Sequence, residues 1–281
     1  MNKRLFIFAG YNAAGRVDAS LVYYVRALSR FGDVVLYMDS NVPKSELKKL
    51  APYTVYAGAA RHGEYDFGSY KRAYIWSRDN LDLKKYDFMY LVNDSVFGPL
   101  TDMTTTFAKM ESIDTSAFGL VGNPHHDHPH IQSWFVGLRK KIFTAKWFDD
   151  FMMSITKLPD KGSVAMIYEH GLSNLIVKHG HTWKCVYNIA GRGVYNRVKY
   201  LFRVGMPFIK KVAFTRHNGR LGGQLCYVMK HCDADARDAI MCGARDTWGD
   251  EYINRLMTRN PLRLMWRGIT YATPKIIAGK L

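Results

Sequence analysis

The sequence is short of acid, of cysteine and of long apolar runs. Its 281 residues hold 24 Asp and Glu against 40 Lys and Arg, a formal net charge of 40 − 24 = +16 at pH 7. Four cysteines occur, Cys185, Cys226, Cys232 and Cys242, and no two have C-x-x-C spacing. A structural zinc site draws on tighter pairs, so the thiols are expected to be reduced, as in a cytoplasmic protein. No window approaches the roughly 18 apolar residues of a membrane-spanning helix. The opening MNKRLFIFAG has a basic lead, but its apolar run is too short for a signal-peptide core and reads as a first strand. Gly10-x4-Gly15 is neither G-x-G-x-x-G nor a phosphate loop, since no Lys-Ser/Thr follows. A dinucleotide dehydrogenase and a P-loop NTPase are therefore disfavoured. Internal repeats and low-complexity tracts are absent.

What is present excludes disorder. Hydrophobic residues make up 48% of the chain and aromatics 14%, enough for a sizeable core. The first 120 residues alternate strand-like and helix-like runs. Strands are predicted at Arg4–Phe8, Asp33–Met38, Tyr53–Tyr56 and Phe88–Val92. Helices are predicted from an Asp18 cap to about Phe31, over Ser45–Leu50 and around Tyr70–Trp76. Such alternation implies a mostly parallel sheet flanked by helices, with ligand-binding loops at the C-terminal strand ends. A boundary is placed near Gly191–Gly193. It separates a domain over residues 1–190 from a basic, mostly helical extension over 191–281.

The positive charge is concentrated in that extension. From His170 to Cys232 there is no Asp or Glu and there are eleven Lys and Arg. From Gly191 onward 17 basic residues face 6 acidic ones, 17 − 6 = +11. Aromatics interleave with the cations, as in Tyr195-Asn-Arg-Val-Lys-Tyr-Leu-Phe-Arg203. An anionic membrane surface is the favoured partner, an amphipathic packing helix the plainer reading, and nucleic acid the least favoured.

Four clusters offer chemistry. In Tyr65-Asp-Phe-Gly-Ser-Tyr-Lys-Arg72, Asp66 could cap a helix or meet a nucleoside, Gly68 permits close backbone approach, and Lys71 and Arg72 could meet phosphate. Asn93-Asp94-Ser95 ends an apolar strand, where a carboxylate can hold a divalent cation, although the same residues suit a plain turn. Pro124-His-His-Asp-His-Pro-His130 carries four His and one Asp, a loop that needs ligands from elsewhere to form a defined metal site. It leads into a strand through His130, Gln132, Ser133 and Trp134, where an indole could stack on a sugar. In Tyr168-Glu-His-Gly-Leu-Ser173, Glu169 stands at a helix start, where the dipole favours its ionised form and it could accept a hydroxyl proton.

Taken in order, residues 65–72, 91–100, 130–135 and 168–173 resemble the signatures of the rhamnan synthesis protein F family of bacterial polysaccharide glycosyltransferases. The likeness covers roughly residues 4–190 and extends to the wider GT-A class. It implies a GT-A-like α/β fold and sugar transfer from a nucleotide-sugar donor, dTDP-rhamnose first and UDP-sugars next. The acceptor would be a cell-surface glycan growing on a lipid diphosphate, at the inner face of the cell membrane. It assigns Ala9, Gly10, Tyr11, Asp66, Gly68, Lys71, Arg72, Asn93, Asp94 and Ser95 to the donor. It assigns Glu169 as the base and His130, Gln132, Ser133, Trp134 and His170 to the acceptor side. A D-x-D metal site is reduced here to Asp94, which would hold Mg²⁺ or Mn²⁺, and the family's Glu-Asp pair becomes Glu169-His170. A non-catalytic membrane- or glycan-binding scaffold remains the alternative.

Overall fold

The computed structural model describes residues 2–215, 221–258, 260–263, 265 and 266. The chain forms two compact units. The first comprises Met1–Val17, Tyr24–Asp94 and Met103–Gly191; the second comprises Asp18–Tyr23, Ser95–Asp102 and Arg192–Leu281. The expected extension thus shares its unit with two short segments from the N-terminal half. The part of it at residues 216–220, 259, 264 and from 267 on lies outside the described residues.

The first unit is built on strands β1 (Arg4–Gly10), β2 (Asp33–Met38), β3 (Tyr56–Ala59), β4 (Phe88–Asn93), β6 (Ala117–Asn123), β7 (His130–Ile131), β8 (Phe135–Arg139) and β9 (Trp183–Asn188), with β5 (Val96–Phe97) belonging to the second unit. Their order is β3-β2-β1-β4-β8-β6-β7, and β9 pairs with β6. The first four strands are mutually parallel, β6 and β9 pair in parallel, and β8 runs antiparallel between β4 and β6. The mostly parallel sheet flanked by helices is therefore as the sequence implied. β1 and β4 lie at its centre and read as unbroken apolar runs because both their faces are covered.

Two elements differ from expectation. The third strand begins at Tyr56, because Lys48–Tyr53 forms a 3₁₀ turn that carries Pro52 and buries Leu50. A proline there has no N–H to give to a ladder. The helix placed around Tyr70–Trp76 runs from Tyr65 to Asn80 and buries Phe67, Tyr70, Ala73, Tyr74 and Ser77 along one face. Tyr65, its first residue, has φ 57°. The parallel strands end at Gly10, Met38, Ala59 and Asn93, so the loops that follow leave from one edge of the sheet.

The second unit has its own apolar core. Helices Val198–Arg203, Leu221–His231, Ala234–Trp248 and Asp250–Leu256 contribute Val198, Leu225, Val228, Ile240, Ala244 and Ile253. β5 pairs antiparallel with β10 (Ile209–Lys210), and Phe97 packs edge-on against Phe214 with ring centroids 5.0 Å apart. Asp18 caps the following helix as expected: its Oδ1 accepts from the Leu21 N–H at 2.9 Å. No described helix is long and apolar enough to cross a membrane.

Candidate functional site at the sheet edge

The β1 and β4 ends are joined through Asp94. Its N–H donates to the Ala9 carbonyl at 3.1 Å, and its Oδ2 accepts from the Tyr11 N–H at 3.2 Å. That pair of bonds fixes the first loop beside the carboxylate and leaves the Tyr11 ring exposed. Asn93 is fully buried, and its Nδ2 donates to Asp66 Oδ2 at 2.9 Å. Asp66 thus lies within the first turn of its helix and binds a side chain across the sheet edge, while the cap position belongs to Glu64. A Cβ on Gly68 would come within 2.3 Å of the Cβ of Glu64, the helix's own cap residue, so glycine lets the Glu64 side chain fold back over this turn.

The two cations expected to meet phosphate have protein partners. Lys71 Nζ donates to the carbonyls of Met153 and Ile155 at 3.1 and 2.8 Å. Arg72 pairs with Glu64 at 2.7 Å and donates to the Gly68 carbonyl at 2.9 Å. Ser95 belongs to the second unit, where its hydroxyl accepts from Lys210 Nζ at 2.9 Å.

Sequence reasoning passed over Asp39, the residue after β2. It is buried and accepts from the His62 and Gly63 N–H groups at 2.8 and 2.9 Å, and it pairs with Arg61 at 2.7 Å. Burial raises its pKa, but those N–H donors, the His62 charge and Arg61 outweigh it and leave the carboxyl below the ordinary aspartate value. Arg61 in turn lies 5.5 Å from the centre of the exposed Tyr11 ring. The Asp39-Ser40 pair directly after an apolar strand was the available signal, and it is common at any strand end.

The second group forms where the chain turns from β7 to β8. Gln132, Ser133 and Trp134 make this turn rather than continuing a strand. Glu169 Oε2 accepts from the Ser133 N–H at 2.9 Å and from the Ser133 hydroxyl. Glu169 Oε1 lies 3.3 Å from His130 Nε2. The backbone is already helical at Glu169, with φ −71° and ψ −52°, and Glu169 is the last residue of a π turn over Ala165–Glu169. The carboxylate therefore does not sit at a free helix N-terminus, and Ser133 and His130 hold it in place of the expected dipole. Burial pushes its pKa up, but the bonds from His130 and Ser133 prevail and set it below the usual glutamate value. Burial likewise pulls His130 down, and its contacts with Glu169 and the His128 carbonyl raise it overall.

Tyr70 links the two groups. Its hydroxyl donates to the Ser133 carbonyl at 2.9 Å, and the Trp134 carbonyl accepts from the Asn93 N–H at 3.2 Å. Burial first, and then the Asp66 charge, holds the phenol far above its ordinary pKa, so it remains a donor. Trp134, expected to stack on a sugar, is only 3% exposed, and its Nε1 donates to Gln132 Oε1 at 2.8 Å. Its indole belongs to the core, since ring burial outweighs any use as an open platform.

The same geometry bears on a metal. Among the described residues, Asp94 joins no group of three Asp, Glu, His or Cys ligands; the group that does form is His130, Glu169 and His170. An ion on Asp94 would draw the rest of its shell from donor diphosphate and water, which suits the oxygen preference of Mg²⁺ and Mn²⁺.

A family model described as rhamnan synthesis protein F matches residues 34–253. No curated protein matches the chain. Among solved structures, the chain is similar to the Mn/GDP form of core-mannan synthase A from Aspergillus fumigatus, at 13% identity and a TM-score of 0.31. That likeness covers 54% of this chain and 63% of the other, so the chain spans less than two thirds of that structure. It is also similar to a putative nucleotide-diphospho-sugar transferase from Desulfovibrio desulfuricans G20, at 15% identity and a TM-score of 0.37, covering 85% of this chain and 97% of that one.

Proposed function

The chain belongs to the rhamnan synthesis protein F family, and from that premise we propose that it is a nucleotide-sugar glycosyltransferase working by inverting single displacement. One observation supports this above the others. Asn93 and Asp94 at a strand end and Asp66 in the first turn of its helix are tied through Tyr70 and the 132–134 turn to Glu169, so donor groups and a base share one framework. The donor is a nucleoside-diphosphate sugar, with dTDP-rhamnose the first choice and UDP-sugars the next. Asp66 accepts from the nucleoside, and the exposed Tyr11 offers a face for its base. Asp94 is the residue to hold Mg²⁺ or Mn²⁺, which when bound would offset charge developing on the leaving diphosphate.

Glu169 takes the proton of the acceptor hydroxyl as that oxygen attacks the anomeric carbon opposite the leaving group. Its lowered pKa keeps it ionised at neutral pH, and Ser133 fixes the direction of its free lone pairs. The acceptor is a cell-surface glycan growing on a lipid diphosphate. We place the protein at the inner face of the membrane through the second unit. Lys199, Tyr200, Arg203, Val204 and Gln224 line a concavity of about 520 Å³ there, with cations and exposed apolar side chains side by side.

A thermal-shift panel of nucleotide sugars, with and without Mn²⁺, tests the reading. Stabilisation by one nucleoside diphosphate and its sugar conjugate, enhanced by Mn²⁺, is the expected result. A flat response across the panel, with vesicle or glycan binding intact, would leave a non-catalytic scaffold instead.

A further inference from the structure

The turn between β7 and β8 and the chain at Glu169 bring two imidazoles and a carboxylate together. The ligand atoms of His130, Glu169 and His170 all lie within 4.8 Å of one another, and the rings of His130 and His170 stack with centroids 3.8 Å apart. Each group has a defined remaining valence. His130 Nδ1 is 2.8 Å from the His128 carbonyl oxygen, which can only accept, so Nδ1 carries a hydrogen. His130 Nε2 then faces Glu169 Oε1 at 3.3 Å. A proton on Nε2 makes that contact a hydrogen bond to the carboxylate, and a divalent cation can take the proton's place between the two atoms. His170 Nδ1 is buried and has no hydrogen-bond partner. An unpaired buried nitrogen of this kind is costly unless something binds it.

From this arrangement we propose a binding site for a borderline divalent cation of the Zn²⁺ class, ligated by His130 Nε2, Glu169 Oε1 and His170 Nδ1. The donor set of two imidazoles and one carboxylate suits Zn²⁺, Co²⁺ or Ni²⁺ far better than Mg²⁺. The 3.3 Å between Nε2 and Oε1 matches the edge of a tetrahedron with Zn–ligand bonds of about 2.0–2.1 Å. The surroundings supply the outer hydrogen bonds that metal sites use. The His128 carbonyl fixes the His130 tautomer, and the Ser133 N–H and hydroxyl fix Glu169 Oε2. Three protein ligands leave a fourth position open to water or to a substrate hydroxyl. His125, His126 and His128 stand outside the group, so the histidine-rich loop contributes only His130 as a ligand.

The site shares Glu169 with the transfer reading, but its occupancy by a metal does not depend on that reading. It differs from Asp94 in place and in ligand chemistry, and with Ser133 on Oε2 a cation on Oε1 leaves the second lone pair of Oε1 for a proton. Its test therefore reads metal binding with no sugar donor present. Full-length protein, freed of any affinity tag and stripped with EDTA, is titrated with Zn²⁺ alone at pH 7.5 by calorimetry. It is then titrated with Co²⁺, whose visible absorption reports low-coordinate nitrogen and oxygen ligation. One equivalent should bind, unaffected by excess Mg²⁺. His170→Ala and His130→Ala should each weaken binding on the order of 100-fold or more, and His126→Ala should leave it unchanged. Circular dichroism checks folding, and His170→Ala decides the matter if the buried His130 variant does not fold. Equal binding in wild type and His170→Ala, loss in His126→Ala, or no binding at all would overturn the site.

Discussion

The two units use charge in opposite ways. In the first, Asp39 and Asp94 follow strands while Asp66 and Glu169 lie on helices, and each is directed by a bond from another element. In the second, Lys199, Tyr200, Arg203 and Val204 lie on the outside of a unit whose interior is apolar. Fixed partners give these carboxylates defined directions, and at Asp39 and Glu169 they also lower the pKa, which chemistry can use. Exposed cations remain hydrated and act by number and by field, which suits adhesion to an anionic surface. In the proposed reading, the contrast puts reaction in the first unit and attachment in the second.

The largest effect should come from breaking the first unit's carboxylate. Glu169→Gln is expected to lower sugar transfer by about 10²–10⁴-fold, with nucleotide binding measured by calorimetry close to wild type. Retained turnover would remove Glu169 as the base.

A second variant tests whether the buried acids also support the fold. Asp39→Asn removes a carboxylate that binds Arg61 and two backbone N–H groups, and should cost about 1.5–3 kcal/mol in denaturant unfolding. The pH dependence has a definite sign. Because the folded pKa is lowered, the contribution is complete above the ordinary aspartate value of about 3.9 and fades as pH falls through the folded value. The variant should therefore lose part of the acid-side slope of stability. An unchanged slope would mean that Asp39 titrates no differently when the chain unfolds.

The attachment side is tested by reversing charge. The double variant Lys199→Glu, Arg203→Glu should bind anionic vesicles more weakly by about 1 kcal/mol for each cation removed. Its melting temperature and its transfer to a soluble acceptor should stay the same. Vesicle binding that survives would make the basic face a solvated surface only.

The smallest effect concerns the thiols. Cys185 lies among core residues, and burial pushes its pKa up to about 12, whereas Cys242 is exposed. Alkylation of the native protein at pH 8, read by mass spectrometry, should modify Cys242 early and Cys185 only on unfolding.

Much of the first unit could be read from the chain because its signals are local. The apolar run Arg4–Phe8 and the stop at Asn93-Asp94 are set by residues adjacent in sequence, and they marked the strands and the edge. What could not be read were pairings across distance. Asp66 looks like a cap until Asn93, 27 residues away, is seen to donate to it. Trp134 looks like a sugar platform until the fold buries it. Lys71 and Arg72 look available until a helix end and Glu64 take them up.

By itself, then, the sequence determined the strand and helix alternation, the stop of the fourth strand before Asp94 and the accumulation of cations after Gly191. These follow from side-chain periodicity and composition. Only the tertiary structure decided that Ser133 and His130, rather than a helix dipole, hold Glu169, and that His170 joins them. It also decided that Ser20 and Ser95 fold with the C-terminal unit. Hydrogen bonds and ligand sets depend on distances of about 3 Å between atoms, and a linear chain does not define those until its layers have packed.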